Sequence, residues 1–246
     1  MENILKAPIL GQLVQSKRQT PIVISRDENT ASAELFRLLR TNLRFMLPAD
    51  KQSNVILITS SINGEGKSFV AINTALSMAL LGKRVVLVGL DIRKPMLDKY
   101  MNLPSQGLLT AYLSDSDFTI EDIIQPSGID SNLDVIPAGV IPPNPNELLQ
   151  SERLDELFAE LRKRYDFIFV DSAPTAMVSD TFLLNRLVDM TIFVSRANYT
   201  QLEMLDFINK TYEQNRLNNI ACVLNGVKAS ELGYGYGYGY GNTKVE

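Results

Sequence analysis

The apolar residues of this chain fall into short continuous runs separated by stretches with a helical repeat. Val55–Thr59, Arg84–Leu90, Leu133–Pro137, Phe167–Asp171, Thr191–Ser195 and Ile220–Val227 are rich in Val, Ile, Leu and Phe. A strand that is apolar on both faces is buried on both, the pattern of a parallel sheet between two helical layers. Between the runs, 69–81 is apolar nearly all round and predicts a buried helix, with Gly82 placed to end it. Over 151–164, Leu154, Leu157, Phe158 and Leu161 recur at the spacing of one helix face, and 201–216 predicts a further helix. Strands alternating with helices give an α/β fold with a mostly parallel central sheet flanked by helices. Ligands of such sheets bind beyond the carboxyl ends of the strands.

The alternating pattern occupies 31–232. Residues 1–30 lack it and read as an N-terminal linker. Residues 233–246 differ again: Gly233–Gly241 alternates Gly with Tyr, cannot bury a core, and predicts a flexible tail. The longest apolar run, near Ala71–Leu81, is interrupted by Asn73, Thr74 and Ser77 and falls short of the roughly 18 residues of a membrane span. The start lacks the basic-then-apolar layout of a signal peptide. As given, the chain is expected to be soluble and cytoplasmic.

The strand ends carry the candidate chemistry. Val55–Thr59 runs into Ser60-Ser61-Ile62-Asn63-Gly64-Glu65-Gly66-Lys67-Ser68 and then a helix, the strand–phosphate loop–helix arrangement. Its glycines let backbone N–H groups close on phosphate oxygens. Lys67 is placed for the β- and γ-phosphates, and the Ser68 hydroxyl is a magnesium-ligand candidate. Residues 61–69, from Ser61 through Ile62, Asn63, Gly64, Glu65, Gly66, Lys67 and Ser68 to Phe69, are the expected ATP contacts. Ser61 stands where the motif usually has its first glycine. Two further strands end in carboxylates, Asp91 and Asp171, at the same sheet edge. Magnesium beside phosphate uses one or two carboxylates, so Ser68, Asp91 and Asp171 form the expected Mg²⁺ set.

Composition narrows the field. Apolar residues make up 45% and charged residues 21%, ordinary for a globular chain. The net charge of −4 gives no general attraction to nucleic acid. With no histidine, His-based triads and His-ligated zinc are excluded. The one cysteine, Cys222, lies in an apolar run and reads as a buried thiol.

These motifs together resemble the bacterial tyrosine kinases that act with polysaccharide export machinery. The resemblance covers about residues 30–240. It rests on Gly64–Ser68, on Asp91-Ile92-Arg93-Lys94-Pro95 as the extra Walker A′ strand end, and on Asp171-Ser172-Ala173-Pro174 as Walker B. To these are added Ile136-Pro137-Ala138-Gly139, Pro142-Pro143-Asn144-Pro145, Leu224-Asn225-Gly226-Val227 and the tyrosine tail. The resemblance implies a P-loop NTPase fold of the deviant Walker type, like septum-placement and partitioning ATPases. It implies catalysis by Lys67, Asp91 and Asp171 with Mg-ATP, with Arg93 ordering the site, so that 31–232 is the kinase domain. It further implies autophosphorylation in trans of Tyr234, Tyr236, Tyr238 and Tyr240, and regulation of capsular or exopolysaccharide synthesis. Glu34, Arg37 and Arg40 resemble the family's oligomerisation motif, for a ring, by resemblance an octamer. They share one helix face opposite Leu35, Leu38, Leu39 and Leu43. From physics alone that charged stripe reads as a solvated face. Implied partners are a transmembrane activator, fused upstream or separate, and a cognate tyrosine phosphatase. The implied location is the cytoplasmic face of the inner membrane. Ala7–Gly11 resembles the link after a membrane span in fused members, which implies a longer inner-membrane chain.

One position departs from the pattern. Gly89 stands where the family's Walker A′ usually has its first aspartate. If that carboxylate limits the chemistry, restoring it by Gly89→Asp is expected to speed phosphorylation. Two other functions fit parts of the sequence. A switch ATPase usually has an additional lysine where Ile62 stands, and leaves the tail without a role. A non-catalytic interaction module would make Gly89 a mark of decay, against the intact Lys67, Ser68 and Asp171.

Overall fold

The structure is a computed structural model that describes residues 4–16, 20–27, 29–48, 50–103, 109–115 and 117–231. The tail tyrosines Tyr234, Tyr236, Tyr238 and Tyr240 lie outside these. Its strands are β1 (Ile9–Val14), β2 (Asn54–Ser60), β3 (Val85–Leu90), β4 (Gln125–Pro126), β5 (Leu133–Ile136), β6 (Phe167–Ser172), β7 (Met190–Arg196) and β8 (Ile220–Val227). They form one sheet in the order β1-β8-β7-β2-β6-β3-β5-β4. Every pairing is parallel except β4 with β5.

The continuous apolar strands are covered on both faces, as expected. Within β3, Val85 and Leu87 point into one core and Val86 and Val88 into the other. The first core is closed by helices α1 (Ala31–Met46) and α2 (Lys67–Ala79). Among the described residues, five small helices complete the crossovers: α3 (Leu97–Met101), α4 (Leu109–Ser114), α5 (Ile120–Ile123), α6 (Pro145–Leu149) and, after α7 (Glu152–Arg164), α8 (Asp180–Leu183). The second core is closed mainly by α7 (Glu152–Arg164) and α9 (Leu202–Glu213). Helix α7 shows the local logic well. Ser151 caps it by accepting from the Leu154 amide at 3.3 Å, Leu154, Leu157, Phe158 and Leu161 are buried, and Arg162, Lys163 and Arg164 occupy its last turn. Gly82 follows α2 at φ +77°, where a Cβ would be strained.

One expectation is corrected. Residues 9–14, read as linker, form an edge strand of the main sheet, and Ala7, Val23 and Ile24 are buried against the cores. The folded body therefore begins before residue 31. On α1, Leu35, Leu39 and Leu43 are buried, and Leu38, off the stripe that meets the sheet, is 37% exposed. Among the described residues no helix is long and apolar enough to cross a membrane.

Candidate active site

The sheet order brings three strand ends together. β6 lies between β2 and β3, so the loop after β2, Asp171 in β6 and Asp91 just past β3 share one edge. The Asp91 amide donates to the Asp171 carbonyl at 3.0 Å, which fixes that spacing. Lys67, the first residue of α2, reaches back between the two carboxylates. Its Nζ lies 2.7 Å from Asp91 Oδ2 and 4.0 Å from Asp171 Oδ1. All three side chains are nearly buried.

The electrostatics follow from that burial. Desolvation pushes Asp171 up to about 6, against the lowering influence of Lys67 and the Ser68 hydroxyl, with Asp91 adding to the rise. For Lys67 burial acts downward, but Asp171 and Asp91 outweigh it and hold the ammonium above its ordinary value. Asp171 Oδ1 has no hydrogen-bond partner in spite of its burial. The Asp91 carboxylate also accepts from the Lys94 amide at 3.0 Å, which closes the turn after β3.

The phosphate loop is clamped by residues distant in sequence. Gly64 and Gly66 adopt φ +86° and +99°. A Cβ on Gly64 would meet the Tyr199 hydroxyl at 2.7 Å, and one on Gly66 would meet Asn225 Nδ2 at 2.1 Å. Both positions therefore need glycine for backbone sign and for space. The clamp itself is a set of hydrogen bonds to loop carbonyls. Tyr199 donates to Asn63 at 2.9 Å, Arg196 to Gly64 at 2.9 Å and Asn225 to Glu65 at 2.9 Å. Glu65, fully buried, accepts from the Ile62 amide at 2.8 Å and from the Thr200 hydroxyl. Its burial raises it above the usual carboxylate range, against those hydrogen bonds. Glu65 thus braces the loop from within. On the other side the Thr175 and Ala176 amides donate to Ser60 and Ser61 at 2.8 and 3.1 Å.

The remaining expected residues are placed as follows. Ser61 is buried, with its hydroxyl unpartnered. Asn63 donates to Met177 Sδ at 3.2 Å. Phe69 packs edge-on against Phe36, their centroids 5.7 Å apart. Phe69 also borders a groove of about 330 Å³ beside the loop, shared with Tyr100, Arg196 and Asn225. Arg93 forks onto Asp180 at 2.6 and 3.0 Å and reaches Asn146 Oδ1 at 3.0 Å, tying the turn after β3 to α8 and α6. Glu34 and Arg37 pair with each other on α1, while Arg40 donates to the Ser77 carbonyl of α2 at 2.8 Å. These three residues lie on a different part of the molecule from the loop. Sequence reasoning missed Asp180, Tyr199 and Thr200. Each acts through a contact across 87 to 136 residues, for which a single chain carries no local signal.

Comparison with known proteins settles the family. The AAA domain profile matches residues 53–220. The tyrosine-protein kinase YwqD of Bacillus subtilis is 32% identical over 89% of this chain and 92% of its own length. This chain belongs to the bacterial tyrosine-protein kinases. The kinase also shares 31% identity with the tyrosine-protein kinase Wzc of Salmonella typhi, over 90% of this chain but 30% of that longer protein. Among solved structures, the chimerical protein CapA2B2 superposes with a TM-score of 0.84 at 29% identity, covering 92% of this kinase and 97% of that chain. The kinase domain of the Escherichia coli tyrosine kinase ETK gives 0.80 at 27%, covering 95% of each. The septum site-determining protein MinD of Pyrococcus horikoshii, at 21% identity, TM-score 0.59 and 70% coverage of each chain, shares the fold. The kinase has the P-loop NTPase type of AAA fold, which implies nucleotide binding.

Proposed function

We propose that the kinase transfers the γ-phosphoryl group of Mg-ATP to Tyr234, Tyr236, Tyr238 and Tyr240 of a neighbouring copy, and that this cycle regulates polysaccharide synthesis and export at the cytoplasmic face of the inner membrane. The observation that carries the reading is Lys67, held between Asp91 and Asp171 at the mouth of a clamped phosphate loop. Phosphoryl transfer depends mostly on positioning and charge stabilisation. Here the α2 N-terminus and the loop amides bind phosphate, and Lys67 meets the charge that develops on the transferred group. The groove bordered by Phe69, Tyr100, Arg196 and Asn225 fits the rest of the nucleotide. In the transfer, the tyrosine oxygen bonds to the γ-phosphorus as the bond to ADP breaks. Asp91 orients the phenol and accepts its proton.

The residues present fit a divalent cation. The Ser68 hydroxyl, Asp91 and Asp171 form a hard oxygen set, and Asp171 Oδ1 is buried without a hydrogen-bond donor. Such a cation, when bound, would offset phosphate charge. Arg93 is a positioning residue, since it acts through Asp180 and Asn146. Support for assembly comes from Glu34 and Arg37, whose paired side chains remain partly exposed on α1.

The test is incubation of purified protein with Mg-ATP, followed by phosphotyrosine mapping, for the wild type and Lys67→Met. Phosphate on the tail of the wild type, and none on the variant, is expected. A wild type that hydrolyses ATP without phosphotyrosine would instead identify a switch ATPase, and equal labelling of the variant would overturn the assignment of Lys67.

A further inference from the structure

The catalytic edge carries exposed apolar side chains on two sides of its reactive centre. One is Met177, 58% exposed, and the others are Val140 and Ile141, 74% and 59% exposed. Scattered apolar side chains are ordinary on a protein surface. These three are fixed beside the site by the backbone around them.

Met177 stands at the phosphate loop. The Thr175 and Ala176 amides just before it donate to the Ser60 and Ser61 carbonyls, and its Sδ accepts from Asn63 at 3.2 Å. Val140 and Ile141 lie between β5 and α6, in a segment pinned at both ends within two residues of Asp91. At its start the Ala138 amide nitrogen lies 3.1 Å from where a Cβ on Gly89 would stand. At its end Asn146 accepts from Arg93 at 3.0 Å. In the sheet, β6 with Asp171 and β3 leading to Asp91 lie between β2 and β5. Three strand spacings of ~4.8 Å put the ends of β2 and β5 about 14 Å apart, with the reactive centre between them. The groove assigned to the nucleotide, bordered by Phe69, Tyr100, Arg196 and Asn225, includes none of the three side chains. In-line transfer brings the acceptor from the side away from ADP, which leaves them free to meet it.

The tail sequence has a matching repeat. Gly233–Gly241 places a tyrosine at every second position and contains no charged residue. Laid out as an extended strand, such a segment turns all its rings to one face, ~6.6–6.8 Å apart. With one ring at the reactive centre, the rings two residues before and after it are ~13 Å apart, close to the span between the two apolar flanks.

We infer that Met177 on one side, and Val140 with Ile141 on the other, bind the rings two residues away from the reacting tyrosine. The site thereby selects an extended, unphosphorylated Gly-Tyr segment, residues 233–241 of the neighbouring copy in the acceptor reading proposed above, on which this inference rests. Rings set on a thioether and on aliphatic side chains bury apolar area. A phosphate on a flanking ring adds ~−1.5 to −2 charges, which an apolar flank can only desolvate. Each transfer therefore makes the adjacent tyrosines poorer acceptors and loosens the tail from the site. The cations closest in sequence to Asp91 are Arg93, committed to Asp180, and Lys94, exposed to solvent.

The experiment uses the full chain with Tyr234→Ser, Tyr236→Ser, Tyr238→Ser and Tyr240→Ser, so that its own tail offers no rings. Synthetic peptides of residues 231–246 are titrated by fluorescence anisotropy with Mg²⁺ and a non-hydrolysable ATP analogue present. All keep Tyr238 and carry Tyr234→Ser. One has Tyr236→Phe and Tyr240→Phe, a second Tyr236→Ser and Tyr240→Ser, and a third phosphate on Tyr236 and Tyr240. The Phe-flanked peptide is expected to bind at least tenfold more tightly than the Ser-flanked one, and the phosphorylated peptide no more tightly than the Ser-flanked one. Adding Val140→Ser with Ile141→Ser, or separately Met177→Ser, is expected to shrink that tenfold ratio at least threefold. The ratio compares two peptides on one protein, so a change in nucleotide binding or in the folded fraction cancels from it. A ratio that survives both variants would overturn the inference. Tightest binding of the phosphorylated peptide would also overturn it, and would assign docking to Lys94 and Arg93. Phe- and Ser-flanked peptides that bind equally, with Tyr238 phosphorylated at the same rate in both under Mg-ATP, would overturn it and leave the functional proposal standing. A kinase that binds the Phe-flanked peptide as expected but leaves Tyr238 unmodified would sink the functional proposal and leave this surface standing.

Discussion

At the scale of single residues, Gly89 is where sequence and structure disagree most usefully. Sequence alone treats it as a missing carboxylate. In the structure a Cβ there would meet the Ala138 amide nitrogen at 3.1 Å and Leu97 Cδ1 at 3.2 Å. Gly89 also stands opposite Asp171 in the β3–β6 register, so an added side chain would join Asp91 and Asp171 on one face. Even with a bound cation beside Lys67 to balance its charge, a third carboxylate there must displace the Ala138 backbone before it can reach the site. Gly89→Asp is therefore expected to be no faster than wild type at saturating ATP, the reverse of the sequence-based expectation. Gly89→Ala should lose about 1–3 kcal/mol by overpacking alone. Urea unfolding of both variants beside their phosphorylation rates separates crowding from chemistry. A faster Gly89→Asp enzyme would show that the Ala138 segment yields. Cys222 offers a second test. Burial pushes its thiol up to about 12. The folded protein then holds its proton where the unfolded chain has lost it, so this contribution to stability is complete below the unfolded value of 9.0 and fades as pH rises toward 12. A thiol reagent at pH 8 is expected to label Cys222 at the rate of unfolding or local opening, far below the rate for a free thiol. Fast labelling of the native protein would contradict the buried placement.

At the scale of elements, the parallel strands were legible because apolar side chains, mostly Val, Ile, Leu and Phe, fill both faces of β2, β3, β6, β7 and β8. The phosphate loop and the two aspartates were legible because their spacing is local. What escaped is held by distant partners. β1 reads Ile-Leu-Gly-Gln-Leu-Val, and its register with β8 shifts between Ile9 and Gly11 and between Gln12 and Val14, so no clean repeat marks it. The short helices α3 to α6 and α8 are too brief for a repeat to show. The clamp on the loop arises from the ends of β7 and β8. Asn225→Ala would leave the Glu65 carbonyl without its donor, at a cost of about 1–2 kcal/mol. Because that carbonyl lies beside Gly66 and Lys67, the change is expected to raise KM for ATP several-fold with a smaller loss in kcat. Initial-rate kinetics check this, and an unchanged KM would remove Asn225 from nucleotide binding.

At the scale of the whole molecule, assembly is the open quantity. The stripe on α1 is not uniform: Arg40 is tied to α2, whereas Glu34 and Arg37 pair with each other and stay partly exposed. Removing Arg40 would loosen the α1–α2 contact as well as any interface. The informative variant is accordingly Glu34→Ala with Arg37→Ala. Multi-angle light scattering is expected to show a large assembly for the dephosphorylated protein, smaller particles once the tail is phosphorylated, and smaller particles for the double variant. Phosphates crowded in one short tail repel each other and the acidic catalytic edge, which is the physical reason for dispersal. A double variant as large as wild type would return the stripe to a solvated face.

The edge position of β1 has a consequence for how the protein is made. Among the described strands the first pairs with the last: Ile9 stands beside Cys222, whose amide donates to the Pro8 carbonyl at 2.8 Å. On a ribosome adding 5–20 residues per second, the partner of β1 emerges on the order of 10–40 seconds later. Throughout that interval Leu10 and Leu13, buried in the finished core, have no sheet to join. The β1 segment is synthesised well before β8 and docks only after it, so the nascent chain offers an apolar, strand-forming segment to chaperones until translation of β8 is complete.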